Sequence, residues 1–406
     1  MKIQVHVSDV KVGMFIHDIC ANWMDYPFWS GPSAINSSDD LKKLKNCGIK
    51  YVWIDPSKGL GAESCNEVLT QEDENRKISS VLHDAMVVTH QSGRCVNLNE
   101  ELDSARKILA NARKQVVTMF HEARMGKALQ VDGAMTVVDE VNRSITRNSN
   151  ALLSLVRLKN KNDYTYMHSV AVCALMIALG KQLGIEGEQL QLLGMAGLFH
   201  DIGKAMIPAA VLNKPGKLTD EEFAIIKKHP TLGWKILKKL PDFHDVILDV
   251  ALHHHERIDG AGYPGRRQGE ALTLAARMAA VCDVYDAITS ARCYKNAWEP
   301  AEAIRKMASW QCGNFDLQVF HAFVKTVGIY PVGTLVKLKS GRMAVVIEQT
   351  EKSLITPIVK AFFSVTSKMF ITPEILNLDK LRDSIESIEA PDKWGFNLQT
   401  VIETLN

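Results

Sequence analysis

Long apolar runs, paired cysteines and an excess of either charge are all missing from this chain of 406 residues. Its most apolar stretch, Val170 to Leu179, is about ten residues, half of what a helix needs to cross a bilayer, so no membrane span is expected. Met1 to Val12 mixes Lys and Asp among short apolar steps and lacks the continuous apolar core, about 7 to 15 residues long, of a signal peptide. A cytoplasmic location is the expectation. The eight cysteines (Cys20, Cys47, Cys65, Cys95, Cys173, Cys282, Cys293, Cys312) never stand at the CxxC spacing of zinc or redox sites, which leaves reduced and mostly buried thiols. A net charge of only +2 excludes a binder of polymeric nucleic acid held by bulk electrostatics; a phosphate ligand would need a local pocket. Internal repeats and low-complexity tracts are missing too.

With 46% hydrophobic and 23% charged residues the chain can bury cores without staples, and a prior of about 150 residues per domain suggests two or three of them. Residues 3 to 8 alternate apolar with polar, and Gly13 to His17 and Lys50 to Asp55 are short β-type runs, so 1–61 reads as a small α+β module with a helix opened by Asp39-Asp40. Residues 62–150 read as linker and connector helices. There Leu102, Ala105, Leu109, Ala112, Val116 and Met119 form an apolar stripe on a helix capped by Asn99. The stripe spans under three heptads, which favours packing on the neighbouring domain over a coiled coil. A second helical stretch covers Thr136 to Leu158. A helical domain over 151–328 follows, and 329–406 is a β-rich extension in which a Ser-Gly turn joins Gly333–Gly341 to Met343–Glu348. The fold class is mainly α.

Seven of the thirteen histidines lie between His168 and His255, several beside carboxylates, which is a supply of nitrogen and oxygen ligands without sulfur. Taken alone, His168 on an apolar helix face reads as a core histidine. His200-Asp201 follows the apolar run Leu192 to Phe199, and a buried Asp there needs a partner; Lys204 at i+3 would supply one, so an ordinary salt bridge is open. His254-His255-Glu256 runs into Asp259-Gly-Ala-Gly-Tyr-Pro264, a histidine pair beside a tight turn. Asp283 sits in the apolar stretch Ala279 to Ile288 with Asp286 one turn on, and one of the two must face inward. His229 reads equally well as a surface residue, and His121, His244 and His253 as structural.

The ordered set His168, His200-Asp-Ile-Gly-Lys204, Leu212-Asn-Lys-Pro-Gly-Lys-Leu218, His229-Pro230, His254-His255, Gly262-Tyr-Pro264 and Asp283-Val-Tyr-Asp-Ala-Ile-Thr-Ser290 resembles the HD-GYP family. This is a branch of the HD-domain metal-dependent phosphohydrolases, with an all-helical metal-binding domain. Val12-Gly-Met-Phe-Ile16, Tyr26-Pro-Phe-Trp29 and Tyr51-Val-Trp-Ile-Asp55 resemble the uncharacterised module often found ahead of it. Cys293 departs from the usual proline in Arg292-Cys-Tyr-Lys295. Tyr164 stands where members with a third metal carry Glu, which favours two metals.

The resemblance implies that His168, His200 and Asp283 hold one divalent cation, that His229, His254 and His255 hold another, and that Asp201 bridges them. Iron or manganese suits mixed nitrogen and oxygen ligands. It further implies hydrolysis of a cyclic dinucleotide, cyclic di-GMP or hybrid cyclic GMP-AMP, to a linear dinucleotide or mononucleotides, by a water activated between two metals. Lys204 would neutralise the phosphate or protonate the departing O3′. Gly262, Tyr263 and Pro264 would shape the base pocket, and Arg292 and Lys295 would clamp phosphate or a guanine edge. A homodimer or signalling-protein contact would form through the N-terminal module. Other readings stand beside this one: an HD-domain hydrolase of another nucleotide, a non-catalytic cyclic-dinucleotide sensor, or a helical scaffold that leaves the ligand set unexplained.

Overall fold

The structure, a computed structural model, describes residues 2–19, 32–46, 49, 51–61, 69–86, 96, 98–156, 164–214, 216, 218–241, 243–290, 297–310, 313–350 and 353–396. The N-terminal strands are β1 (Ile3–His6), β2 (Phe15–Ile19) and β3 (Ser33–Ala34), followed by α1 (Ser38–Asn46), β4 (Tyr51–Ile54) and β5 (Leu69–Thr70). They form an antiparallel sheet in the order β3-β2-β4-β1-β5. Pairing of Ile3 with Ile54 and Val5 with Val52 keeps the alternating apolar residues on one buried face. The sheet continues past Gly61 into β5, a strand too short to show an alternation.

Three helices lead into the main helical region: α2 (Gln71–Met86), α3 (Leu98–Arg124) and α4 (Val131–Val156). The six stripe residues of α3 are all buried, and five of them, Ala105, Leu109, Ala112, Val116 and Met119, belong to the main helical core; the helix packs on neighbours in its own chain instead of standing free. It already includes Leu98, one residue ahead of the expected cap at Asn99. α4 begins before Thr136, and its helical geometry breaks at Asn148. Glu101 accepts from Arg147 Nε at 2.6 Å and from Ser144 Oγ at 2.7 Å, so α3 and α4 run antiparallel.

The remaining helices are α5 (Tyr164–Gln182), α6 (Gly187–Phe199), α7 (Ala209–Leu212), α8 (Asp220–Ile226), α9 (His229–Leu237), α10 (Asp245–His253), α11 (Leu274–Thr289), α12 (Pro300–Trp310) and α13 (Leu317–Val327). α5 from His168 to Gly180, α6 from Leu193 to Phe199 and α11 from Met278 to Thr289 are buried on every side, because other helices enclose these stretches. A Cβ on Gly197 would come within 2.9 Å of the Cys173 backbone, so glycine lets α6 lie against α5. α12 reaches the N-terminal module through an ion pair of Lys306 with Asp18 at 2.7 Å. The chain closes with β6 (Leu335–Leu338), β7 (Arg342–Glu348), β8 (Ile358–Ser364), β9 (Met369–Asn377) and β10 (Ile385–Ile388) in the antiparallel order β10-β6-β7-β8-β9. The β6–β7 hairpin turns at Ser340-Gly341, where Gly341 has φ 78°, a conformation that favours glycine. The protein is thus mainly helical with a small sheet at each end. Among the described residues no helix is long and apolar enough to cross a membrane.

Candidate metal centre

Five chain segments deliver the charged and imidazole groups to one buried point. His168 is on the first turns of α5. His200 and Asp201 sit where α6 ends and the chain tightens into a 3-10 turn, Ile202–Met206. His229 opens α9, His254 and His255 follow α10, and Asp283 and Asp286 lie on α11. The glycine of His200-Asp-Ile-Gly-Lys204 has a steric purpose: a Cβ on Gly203 would lie 2.0 Å from the His229 carbonyl oxygen and 2.4 Å from Gly233 N. Only glycine lets the Asp201 turn press against α9 and bring His229 to the centre.

The potential ligand atoms form two groups, Asp201 with His229, His254 and His255, and His168 with His200 and Asp283, each within 4.8 Å internally and all buried. Asp201 joins them. Its Oδ2 lies 3.3 Å from His200 Nε2 and 3.5 Å from His168 Nε2, while its Oδ1 lies 3.2 Å from His229 Nε2 and 3.8 Å from His254 Nε2. Asp283 approaches His168 Nε2 at 2.9 Å and His255 Nδ1 at 3.6 Å.

Backbone carbonyls fix which ring nitrogen carries hydrogen. His200 Nδ1 donates to Gly197 O at 2.7 Å, His229 Nδ1 to Ile226 O at 2.7 Å and His254 Nδ1 to Val250 O at 3.0 Å, since a carbonyl oxygen can only accept. Each neutral ring then points an Nε2 lone pair inward. His229 Nε2 and His254 Nε2 meet at 3.2 Å, acceptor against acceptor. His200 Nε2, Asp201 Oδ1, His255 Nδ1 and Asp283 Oδ2 are buried without a hydrogen-bond partner. One unpaired buried polar atom costs about 1–3 kcal/mol, and so many inward lone pairs at one point fit a donor set built for cations.

Electrostatics agree with that fit. Burial opposes ionisation of Asp201, yet Lys204, His200 and His229 hold its carboxyl well below the usual carboxylate range. Asp283 is likewise held low against burial by His168, His255 and His200. Burial, then His200 and His229, push His254 down to about 3, and burial with His254 pushes His255 well down; His229 is lowered chiefly by burial. These rings stay neutral, the state a ligand requires. His200 is the exception: against burial, the Asp201 and Asp283 carboxylates raise it.

Other singled-out residues divide clearly. Lys204 does form the ion pair with Asp201 Oδ2, and this pair sits inside the ligand cluster. Tyr263 stacks on His255 with centroids 4.8 Å apart at 30°. Gly262 is wedged so closely that a Cβ would lie 2.5 Å from Arg257 N and Glu256 Cα, while Pro264 is exposed. Glu256 Oε1 accepts from Gly265 N at 2.5 Å and ties the loop down. His253 bonds Asp249 at 2.8 Å, and His244 caps α10 by accepting from Val246 N at 3.2 Å. Arg292, Cys293 and Lys295 lie outside the described residues, as do the Tyr26–Trp29 segment and the side chain of Tyr164.

Two contributors escaped sequence reasoning. Asp283 and Asp286 both face inward, 3% and 2% exposed, because α11 is enclosed on every side. Asp286 Oδ2 accepts from His168 Nδ1 at 2.6 Å, and its position one turn from Asp283 was the available signal. Lys227, two residues before His229, places its Nζ 5.5 Å from the Tyr263 ring and 4.6 Å from that of Phe223; a lysine in a charged helix carries no such signal.

Residues 140–319 match the HD domain family, and residues 2–134 match a domain of unknown function, DUF3391. The chain is 48% identical to the cyclic di-GMP phosphodiesterase PA4108 of Pseudomonas aeruginosa over 97% of this chain and 93% of that protein. It is 42% identical to the cyclic di-GMP phosphodiesterase response regulator RpfG of Xanthomonas campestris pv. campestris over 36% of this chain and 39% of that one. The 3'3'-cGAMP-specific phosphodiesterase 1 of Vibrio cholerae is 39% identical over 41% of this chain and 38% of its own length.

Proposed function

We propose, for a chain that belongs to the HD-GYP branch of the HD-domain family, a metal-dependent phosphodiesterase that hydrolyses a cyclic dinucleotide, with cyclic di-GMP the favoured substrate. The observation that carries this reading is the placement of Asp201, which turns one carboxylate oxygen toward His168 and His200 and the other toward His229 and His254. His168, His200 and Asp283 would hold one divalent cation, His229, His254 and His255 a second, and Asp201 both. Iron or manganese suits this set of nitrogen and oxygen donors. Two such cations supply Lewis-acid stabilisation of phosphoryl charge and an acidified water. A relative 48% identical across nearly the whole chain, and named for cyclic di-GMP, supports that substrate over the hybrid dinucleotide.

The chain's own groups then divide the work. Lys204, 18% exposed at its side chain and paired with Asp201, can reach toward solvent to neutralise the scissile phosphate or give a proton to the departing O3′. Tyr263, backed by His255, offers a ring edge to a base, and Arg292 and Lys295 follow the Asp283 helix in sequence as candidate phosphate or guanine clamps. The product is a linear dinucleotide or mononucleotides. The test loads purified protein with iron or manganese and separates products from cyclic di-GMP, hybrid cyclic GMP-AMP and simple nucleotides. Cleavage of a cyclic dinucleotide is expected; turnover of the simple nucleotides alone would overturn the reading.

A further inference from the structure

We propose that Arg124, at the C-terminal end of α3, is a positioning residue for the Asp201–Lys204 segment. Through it a helix belonging to the connector region sets the geometry of the phosphodiesterase centre. The inference rests on the functional reading above.

The segment in question is short. Asp201 caps, and Lys204 lies within, a single 3-10 turn, Ile202–Met206, whose hydrogen bonds are intrinsically poorer than those of an α-helix, so its orientation depends on what presses on it. On the inner side Gly203 abuts the His229 carbonyl and Gly233. On the outer side Arg124 Nε donates to Ala205 O at 3.2 Å, across 81 residues of sequence. One turn earlier on the same face of α3, Phe120 is 3% exposed. It meets Tyr166 edge-on, with centroids 5.4 Å apart at 83°, and Tyr166 lies two residues before His168. Ala123, between Phe120 and Arg124 in sequence, is buried as well. The last turns of α3 therefore touch both the turn that carries Asp201 and Lys204 and the helix that carries His168.

A bland role for Arg124 exists: a cation in a last helical turn favours its own helix dipole. That role would affect stability and nothing at the centre. The positioning role predicts more, because displacement of a catalytic group by about 1 Å can cost on the order of a hundredfold in rate. A lost hydrogen bond at an exposed arginine should cost part of that.

The experiment uses the full-length, metal-loaded protein as wild type, Arg124→Ala, Arg124→Lys and, as a control on an exposed neighbour, Met125→Ala. Amide hydrogen exchange across residues 202–206 is measured with kcat and KM for cyclic di-GMP and with bound metal. For Arg124→Ala we expect faster exchange at 202–206 and kcat lowered about five- to tenfold, with KM and metal content unchanged. Arg124→Lys should recover part of the loss and Met125→Ala should match wild type. Unchanged exchange overturns the inference, as does unchanged kcat or an equal loss in Met125→Ala. A wild-type protein idle on every cyclic dinucleotide would instead overturn the functional reading; exchange at 202–206 then still decides whether Arg124 holds the turn.

Discussion

His168 Nδ1 donates to Asp286 Oδ2 at 2.6 Å, which turns the other ring nitrogen of His168 toward Asp283 and Asp201, at 2.9 and 3.5 Å. A carboxylate behind a ligating imidazole fixes its orientation and raises its basicity. Asp286→Ala is therefore expected to weaken metal binding about 10- to 100-fold while the secondary structure is retained. A competition titration with a metal chelator measures it; wild-type affinity in the variant would remove Asp286 from the centre.

Gly203 offers a steric test of the same centre. The added methyl of Gly203→Ala would land 2.0 Å from the His229 carbonyl and 2.4 Å from Gly233 N, both backbone atoms that cannot swing aside. Overpacking of this kind costs about 1–3 kcal/mol or more, and the relaxation must move α9 away from Asp201. Both a lower denaturation midpoint and a loss of hydrolysis are expected. Gly184→Ala, at a glycine with open space around it but φ 76°, should lose stability from backbone strain alone and keep its activity.

The contrast between these positions shows what the sequence could disclose. Histidine and aspartate motifs are local, so His200-Asp201 and His254-His255 were legible as ligand candidates, and the α3 stripe was legible because a half-exposed helix keeps its period. α6 from Leu193 and α11 from Met278 are buried all round, and a stretch enclosed on every side shows no single apolar face. That is why only one of Asp283 and Asp286 was expected inside. Arg124 bonding Ala205, and Lys227 beside Tyr263, are contacts between segments distant in sequence or turned toward each other only by the loop, and charge alone does not announce them. The break at Asn148 likewise lies in a stretch whose apolar spacing stays helical on both sides.

Asp201 separates the metal reading from the salt-bridge reading. If its only purpose were to neutralise Lys204, Asp201→Asn would loosen one ion pair and spare the histidines. Because each of its oxygens faces a different set of rings, Asp201→Ala is expected to abolish hydrolysis and to lower the bound metal measured by elemental analysis. Full activity with the metal content intact would sink the assignment.

Acid sensitivity of the metal-free fold follows from the same cluster. In the unfolded chain His254 takes a proton near its ordinary value of 6.5, but burial and the neighbouring His200 and His229 push it down to about 3 in the fold. His255 and His229 move in the same direction, each chiefly through burial. Between those limits the unfolded chain binds more protons, so stability falls as pH drops, by about 1.4 kcal/mol per pH unit for each fully withheld proton. His200 acts oppositely. Held above 6.5 by Asp201 and Asp283 against burial, it lends stability that is fully present below 6.5 and is lost as pH rises through its raised folded-state value. Three rings that refuse a proton outweigh one that accepts it, and Asp201 and Asp283, both held low, add to the loss below about pH 4. The urea midpoint of chelator-stripped protein should therefore decline steadily from pH 7 to 4.5, and saturating manganese should restore it at the upper end, where the rings are neutral. A midpoint flat across that range would mean that the histidines are not held neutral in a dry centre.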